Sequence, residues 1–331
     1  AASKITAQTL RSFTWGDYPK IGYDQHAVYI SGRMFGYSGG FNYSKVRIIP
    51  KTELYDPAHG PVSYTDIWNF RDPNNPGVVV DGPPVAANHL DSSNTTYLVV
   101  DSPYITSTFI TLWKIINPLD PNPIITAVNV PTTAAQSPPD ANQLGGGSPL
   151  IDSGRRAYRR AVYKDGYIWT ATAIAGGTGN QAAFARYLKI NVSSNTAEED
   201  VAIGANGFYY LYPMAMVDGD NNLTMVFTRS ANNEYASAAF TGRRATDPPG
   251  LSPSVILKAG GANYIKTFSG TRNRWGDYLV IASDPVNPNA VWGFIEYAEN
   301  TANTFGVWTA AFTHQYSLSG VIRSSFDNAP I

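Results

Sequence analysis

The chain has 331 residues, a formal net charge of −1, 15% charged residues and no cysteine. The missing thiols exclude a disulfide scaffold, an iron–sulfur centre and a thiolate zinc site. The sparse, balanced charge excludes the broad basic face that nucleic acid requires, and no run of 18 apolar residues offers a transmembrane helix.

In chain order, the opening AASKITAQTL lacks a basic-then-apolar leader and is expected to be the start of a processed, secreted chain. From residue 14 a pattern sets in that recurs five times. A short apolar strand runs into an aspartate, and a turn of Asp, Asn, Gly, Ser or Pro follows. The aspartates are Asp24, Asp91, Asp165, Asp218 and Asp284, 53 to 74 residues apart. Second strands are AVYIS, TYLVV, YIWTATAI, LTMVFT and AVWGFIEYA, rich in β-branched and aromatic residues. Third strands are SKVRII, TFITLWKI, AFARYLKINV, ASAAF and GVWTAAF. Fourth strands are YTDIWNF, IITAVNV, EDVAI and SVILKA, and the fifth repeat has none. No segment keeps a helical period over three turns.

This predicts an all-β chain: one five-bladed β-propeller domain over 1–331, with four antiparallel strands per blade. The blades fall at 14–72, 83–131, 156–204, 210–260 and 273–316. Residues 1–12, with KITAQTL, are expected to close the ring as the missing strand. The tail at 317–331 holds a rival strand, SGVIRSSF, which either lies on the blade or docks on a neighbouring copy.

The tetrapeptide WGDY occurs twice, at Trp15 and at Trp275. Asp17 and Asp277 each stand seven residues before a closing aspartate, where the other repeats carry Pro84, Tyr158 and Leu211. In a ring of five, the first and last blades are neighbours, so the two motifs are expected side by side, with Trp15 and Trp275 packed between blades. The RWGDY…DPVNP…VW…EYA pattern resembles the repeat of secreted bacterial propellers related to sialidase-like folds, over the first and fifth repeats. The sialidase aspartate box Ser-x-Asp-x-Gly-x-Thr-Trp is absent. The resemblance implies architecture and export rather than an activity.

Three functions compete. A glycoside hydrolase would use Asp17 and Asp277 as its carboxylate pair. It lacks an obvious general acid, because none of Glu53, Glu198, Glu199, Glu234, Glu296 and Glu299 falls on a first strand. A calcium ion, the one cofactor these residues suggest and one not required, would be held by Asp17 with Asp277, or by Asp218 and Asp220 in DGDNN. Ordinary turn chemistry explains the same carboxylates. A binding or structural protein of the cell surface fits the Tyr-rich composition. Its partners would be glycans or further copies of itself, assembled into a filament or layer through a terminal strand. In that reading Arg155, Arg156, Tyr158, Arg159 and Arg160 form an anion-binding stretch. The four histidines, His26, His59, His89 and His314, are expected in turns and on the surface.

Overall fold

The computed structural model describes residues 14–277 and 279–314, so the expected closing strand and the C-terminal tail lie outside the described residues. The chain is all-β, built from successive antiparallel blade-type sheets, and its helices are single turns. It divides into two compact units. The first comprises 1–134, 157–168 and 189–198, and the second comprises 135–156, 169–188 and 199–331.

In the first unit, strands Thr14–Tyr23, Ala27–Gly36, Phe41–Pro50 and Thr65–Trp68 form one antiparallel meander. Val85–Ala86, Thr95–Asp101, Ser107–Ile116 and Ile124–Ala135 form the next. In the second unit, Phe208–Val217, Leu223–Ala231, Glu234–Arg243 and Val255–Lys258 repeat the plan. Val280–Ser283, Ala290–Ala298 and Phe305–Thr313 follow with three strands. The strands Ala161–Lys164, Tyr167–Gly176, Ala182–Asn191 and Thr196–Ile203 are divided between the units. Among the described residues the last sheet has three strands.

Burial alternates along Ala27–Gly36, whereas Phe208–Val217 and Leu223–Ala231 are buried at nearly every position and so on both faces. In the first unit Phe70 meets Trp113 edge-on at 4.9 Å, and Tyr29, Ile48, Ile67 and Leu98 close around them. Three of the five repeat aspartates cap the turns after their strands as expected, whereas the Asp91 carboxylate accepts from the Asp165 amide and Asp165 pairs with Lys164. Asp24 Oδ1 accepts from the amides of His26 (2.7 Å) and Ala27 (2.8 Å). Asp218 Oδ1 accepts from Asp220 and Asn222, both at 2.9 Å, and Asp284 Oδ1 from Val286 and Asn287, both at 2.8 Å. Each carboxylate caps amides that the turn leaves without a ladder partner.

Two first strands share an irregularity that the sequence reading does not anticipate. Tyr18 and Pro19 together face Gly32, and Tyr212 and Pro213 together face Phe227. Each pair is a β-bulge, and its tyrosine takes a left-handed backbone with φ of 53° and 52° respectively. The two tyrosines lie at the same place in the repeat, six residues before Asp24 and Asp218.

His89 departs from the surface placement expected of it. It is buried in the first unit, where Asn88 and His89 pair in parallel with Val162 and Tyr163, and Asn88 also with Tyr23. Its ring packs on Tyr163 at 4.7 Å and Tyr97 at 5.8 Å, and among the described residues neither ring nitrogen has a hydrogen-bond partner. Burial pushes its pKa down to about 4. Aromatic packing has claimed an imidazole that sequence spacing alone assigns to a turn.

Candidate functional site

The first strand of the first unit carries the earlier WGDY copy. Beyond the bulge, cross-strand pairing sets Trp15 opposite Phe35, Asp17 opposite Arg33, and Phe35 opposite Phe41. Residues directly opposite share a face of the sheet, as do residues two apart on one strand. Trp15, Asp17, Arg33, Phe35 and Phe41 therefore stand on one face. Trp15 stacks on Phe35 at 5.2 Å and 25°, and Phe35 meets Phe41 edge-on at 6.0 Å. The Arg33 guanidinium lies 4.9 Å from the Phe35 ring and 5.3 Å from the Phe41 ring, and its Nε donates to Asp81 at 2.9 Å. Trp15 stays 45% exposed, not packed away as the sequence reading expects. Asp17 is exposed too, and its Oδ1 accepts from the amide of Tyr18 at 2.8 Å.

Towards the buried end of the same strand, cations gather beside tyrosines. Arg159 Nε donates to Tyr18 Oη at 3.0 Å, and Lys20 Nζ lies 3.5 Å from the centre of the Tyr18 ring. Asn88, with its amide turned as its neighbours require, accepts from both Nη atoms of Arg160 at 3.1 and 2.9 Å. Burial lowers the Arg160 pKa, and the Tyr23 phenol works against that fall. Lys20, Tyr158 and Arg159 are all buried. Arg155 and Arg156 belong to the second unit. There Arg156 is buried, its amide donating to Ser137 at 3.3 Å and its Nη1 to the Ala135 carbonyl at 3.1 Å, while Arg155 is exposed. The predicted cationic stretch is thus shared out between the units at Ala157.

The second WGDY copy lies in the second unit. Trp275 is buried, its Nε1 donating to Thr228 at 3.1 Å and its ring meeting Tyr264 edge-on at 4.8 Å. Gly276 has φ of 59°, and a Cβ there would fall 2.7 Å from the Tyr212 ring, so glycine is required. This turn aims the Gly276 amide at Glu296 Oε2, 2.9 Å away, and lets Arg274 reach Asp277 at 2.8 Å. Burial raises the Glu296 carboxyl above the usual range. The Gly276 bond opposes that rise and the Asp277 charge adds to it. Glu296 does fall on a second strand, as the sequence reading has it, yet its carboxyl reaches the motif of a first strand. Sequence position alone places Glu296 away from the motif, whereas the fold sets this raised acid beside a carboxylate.

Asp17 belongs to the first unit and Asp277 to the second. Both Asp218 oxygens accept hydrogen bonds inside their own turn, Oδ2 from Asn222 at 2.8 Å, and the amide of Asp220 is one of the donors to Oδ1. Among the described residues no group of three or more His, Asp or Glu side chains is placed to hold a metal ion.

No protein-family model matches the chain, and no curated protein does. Solved structures with a similar chain path include a protein of unknown function from Dyadobacter fermentans, at 8% identity and a TM-score of 0.48, covering 95% of this chain and 84% of that one. A GH43 β-1,3-galactosidase is similar at 10% identity and a TM-score of 0.44, over 99% of both chains. A subtype N10 neuraminidase-like protein from a little yellow-shouldered bat isolate is similar at 9% identity and a TM-score of 0.43, over 92% of this chain and 84% of that one. Scores this low decide neither a blade count nor an activity.

Proposed function

We propose that the chain is a five-bladed β-propeller of the cell exterior that binds glycans, with a preference for acidic ones. The observation that carries the reading is the gathering of Lys20, Tyr18 and Tyr23 on one strand of the first unit with Asn88 on a neighbouring strand and with Arg159 and Arg160, which lie just before the strand Ala161–Lys164. Guanidinium groups present paired donors to a sugar carboxylate, and phenols and an amide suit hydroxyls. Tyr158 sits on the same stretch of chain, and Arg155 and Arg156 extend it in sequence. A glycan array of neutral and uronic-acid oligosaccharides, run with and without calcium, tests this. Acidic probes should bind wild type and be lost in Arg159→Ala. Retention of acidic binding in Arg159→Ala and Arg160→Ala would overturn it. Calcium-dependent signal lost in Asp277→Asn or Asp218→Asn would assign the ion a place.

A second reading, a glycoside hydrolase, rests on one observation: the raised Glu296 carboxyl beside Asp277. Glu296 would give a proton to the leaving oxygen, and Asp277 would activate the attacking water. Sugar release that disappears in both Glu296→Gln and Asp277→Asn would favour this over binding alone.

Self-association is part of the proposal. The fourth place in the last sheet would be filled by residues 1–12 of the same chain, leaving the tail at 317–331 to add to another copy. Deleting 317–331 should then turn higher oligomers into monomers in size-exclusion chromatography.

A further inference from the structure

We propose that Trp15, Asp17 and Arg33 form a binding subsite for one neutral pyranose ring, distinct from the cationic cluster around Arg159. The inference deepens the glycan-binding reading and rests on it.

Three features on the page converge. The first is an aromatic ring held ready. Trp15 has one face stacked on Phe35, Phe35 is braced by Phe41, and the Arg33 guanidinium lies over both phenylalanine rings. The indole is set by its neighbours rather than free to rotate, and it still stays 45% exposed. A pyranose has one face of C–H bonds, and that face packs on an indole much as an apolar side chain would.

The second is a polar rim at the right reach. Asp17 lies two residues along the strand from Trp15, about 7 Å away by strand geometry, on the same face. Its carboxylate offers acceptors and no donors. Arg33, directly opposite, offers donors and no acceptors. Ring hydroxyls are both donor and acceptor, so adjacent hydroxyls on one sugar satisfy both side chains. A purely apolar partner would leave Asp17 and Arg33 desolvated without replacement bonds.

The third is charge. Arg33 already donates to Asp81, whose side chain is more than half exposed. With Asp17 and Asp81 both present against a single Arg33, the patch carries one excess negative charge. It repels a uronic acid and accepts a neutral sugar, the reverse of the preference expected around Arg159. A longer chain with one acidic and one neutral residue would engage both places.

Isothermal titration calorimetry with cellotriose, xylotriose and galactobiose, and separately with digalacturonate, tests the subsite on the full chain. At least one neutral saccharide should bind wild type, and Trp15→Ala should weaken it about tenfold or more. Asp17→Asn should weaken it less, and Trp15→Phe should restore part of the affinity. Melting temperature checks that each variant is folded. Digalacturonate binding should be unchanged by Trp15→Ala and lost in Arg159→Ala. Neutral binding that stays within twofold in Trp15→Ala and in Asp17→Asn would overturn the subsite while leaving the glycan-binding reading intact. Binding that emerges only when residues 1–12 are removed would also overturn it, because the chain's own segment would then be the occupant. No binding of any probe would overturn both.

Discussion

Single side chains carry consequences that can be measured directly. His89 is buried between tyrosines, both nitrogens without a hydrogen-bond partner among the described residues, near the Asp24 and Asp91 carboxylates. The unfolded chain takes up a proton on this imidazole near pH 6.5 and the folded chain only near 4. Between those values the unfolded state binds more protons, so stability is full above about 6.5 and falls by about 3 kcal/mol as pH drops to 4. His89→Phe keeps an aromatic ring in the stack and removes the titration. Its melting temperature should match or exceed wild type at neutral pH and fall less between pH 6.5 and 4. Gly276→Ala should cost about 1–3 kcal/mol in denaturant unfolding, because a left-handed residue with a Cβ against the Tyr212 ring is strained twice over. The glycine of WGDY was legible in the sequence only as part of a doubled motif. The ring pressed against it was not, because Tyr212 is 64 residues distant and arrives only with the tertiary fold.

At the scale of strands, the repeat was readable because two local signals coincide. An aspartate that caps a turn sits next to an alternating apolar strand, and the carboxylates of Asp24, Asp218 and Asp284 do what that pattern implies. Replacing Asp24 by alanine removes bonds from two turn amides and the partner of the Tyr29 hydroxyl, and should cost about 2 kcal/mol. The position of Trp15 was not readable. Pairing inward from the Asp24 turn, an unbroken hairpin places Trp15 opposite Gly36. The extra residue at Tyr18 and Pro19 moves it opposite Phe35 and so creates the stack. Bulges leave little trace in a composition of turn formers and β-branched residues. Strand-to-strand ion pairs were equally hidden. In the second unit Arg243 is buried against Glu199, and the Tyr187 hydroxyl donates to the same carboxylate at 2.6 Å. Glu199→Ala leaves that guanidinium uncompensated and should destabilise by about 3–5 kcal/mol in urea unfolding, more than Glu199→Gln.

For the whole molecule, composition and periodicity carried the fold class, since an all-β chain of repeated turn-linked strands leaves few other architectures. They carried much less of the site. Opposing partners such as Asp17 and Arg33, or Gly276 and Glu296, are set by register and by contacts between distant segments. If residues 1–12 supply the last sheet's fourth strand, deleting them should lower the melting temperature by several degrees, because an unpaired edge strand loses a full row of backbone bonds. Deleting 317–331 should leave the melting temperature of the monomer unchanged. The bulge at Tyr18 and Pro19 has a genetic corollary. It amounts to one additional codon in a ladder that is otherwise continuous, so excising Pro19 would let Asp17 still meet Arg33 while releasing Tyr18 from the backbone shape that points its hydroxyl at Arg159. A lineage could therefore gain or lose the tyrosine–arginine link in one small indel, without re-threading the sheet that holds the tryptophan in place.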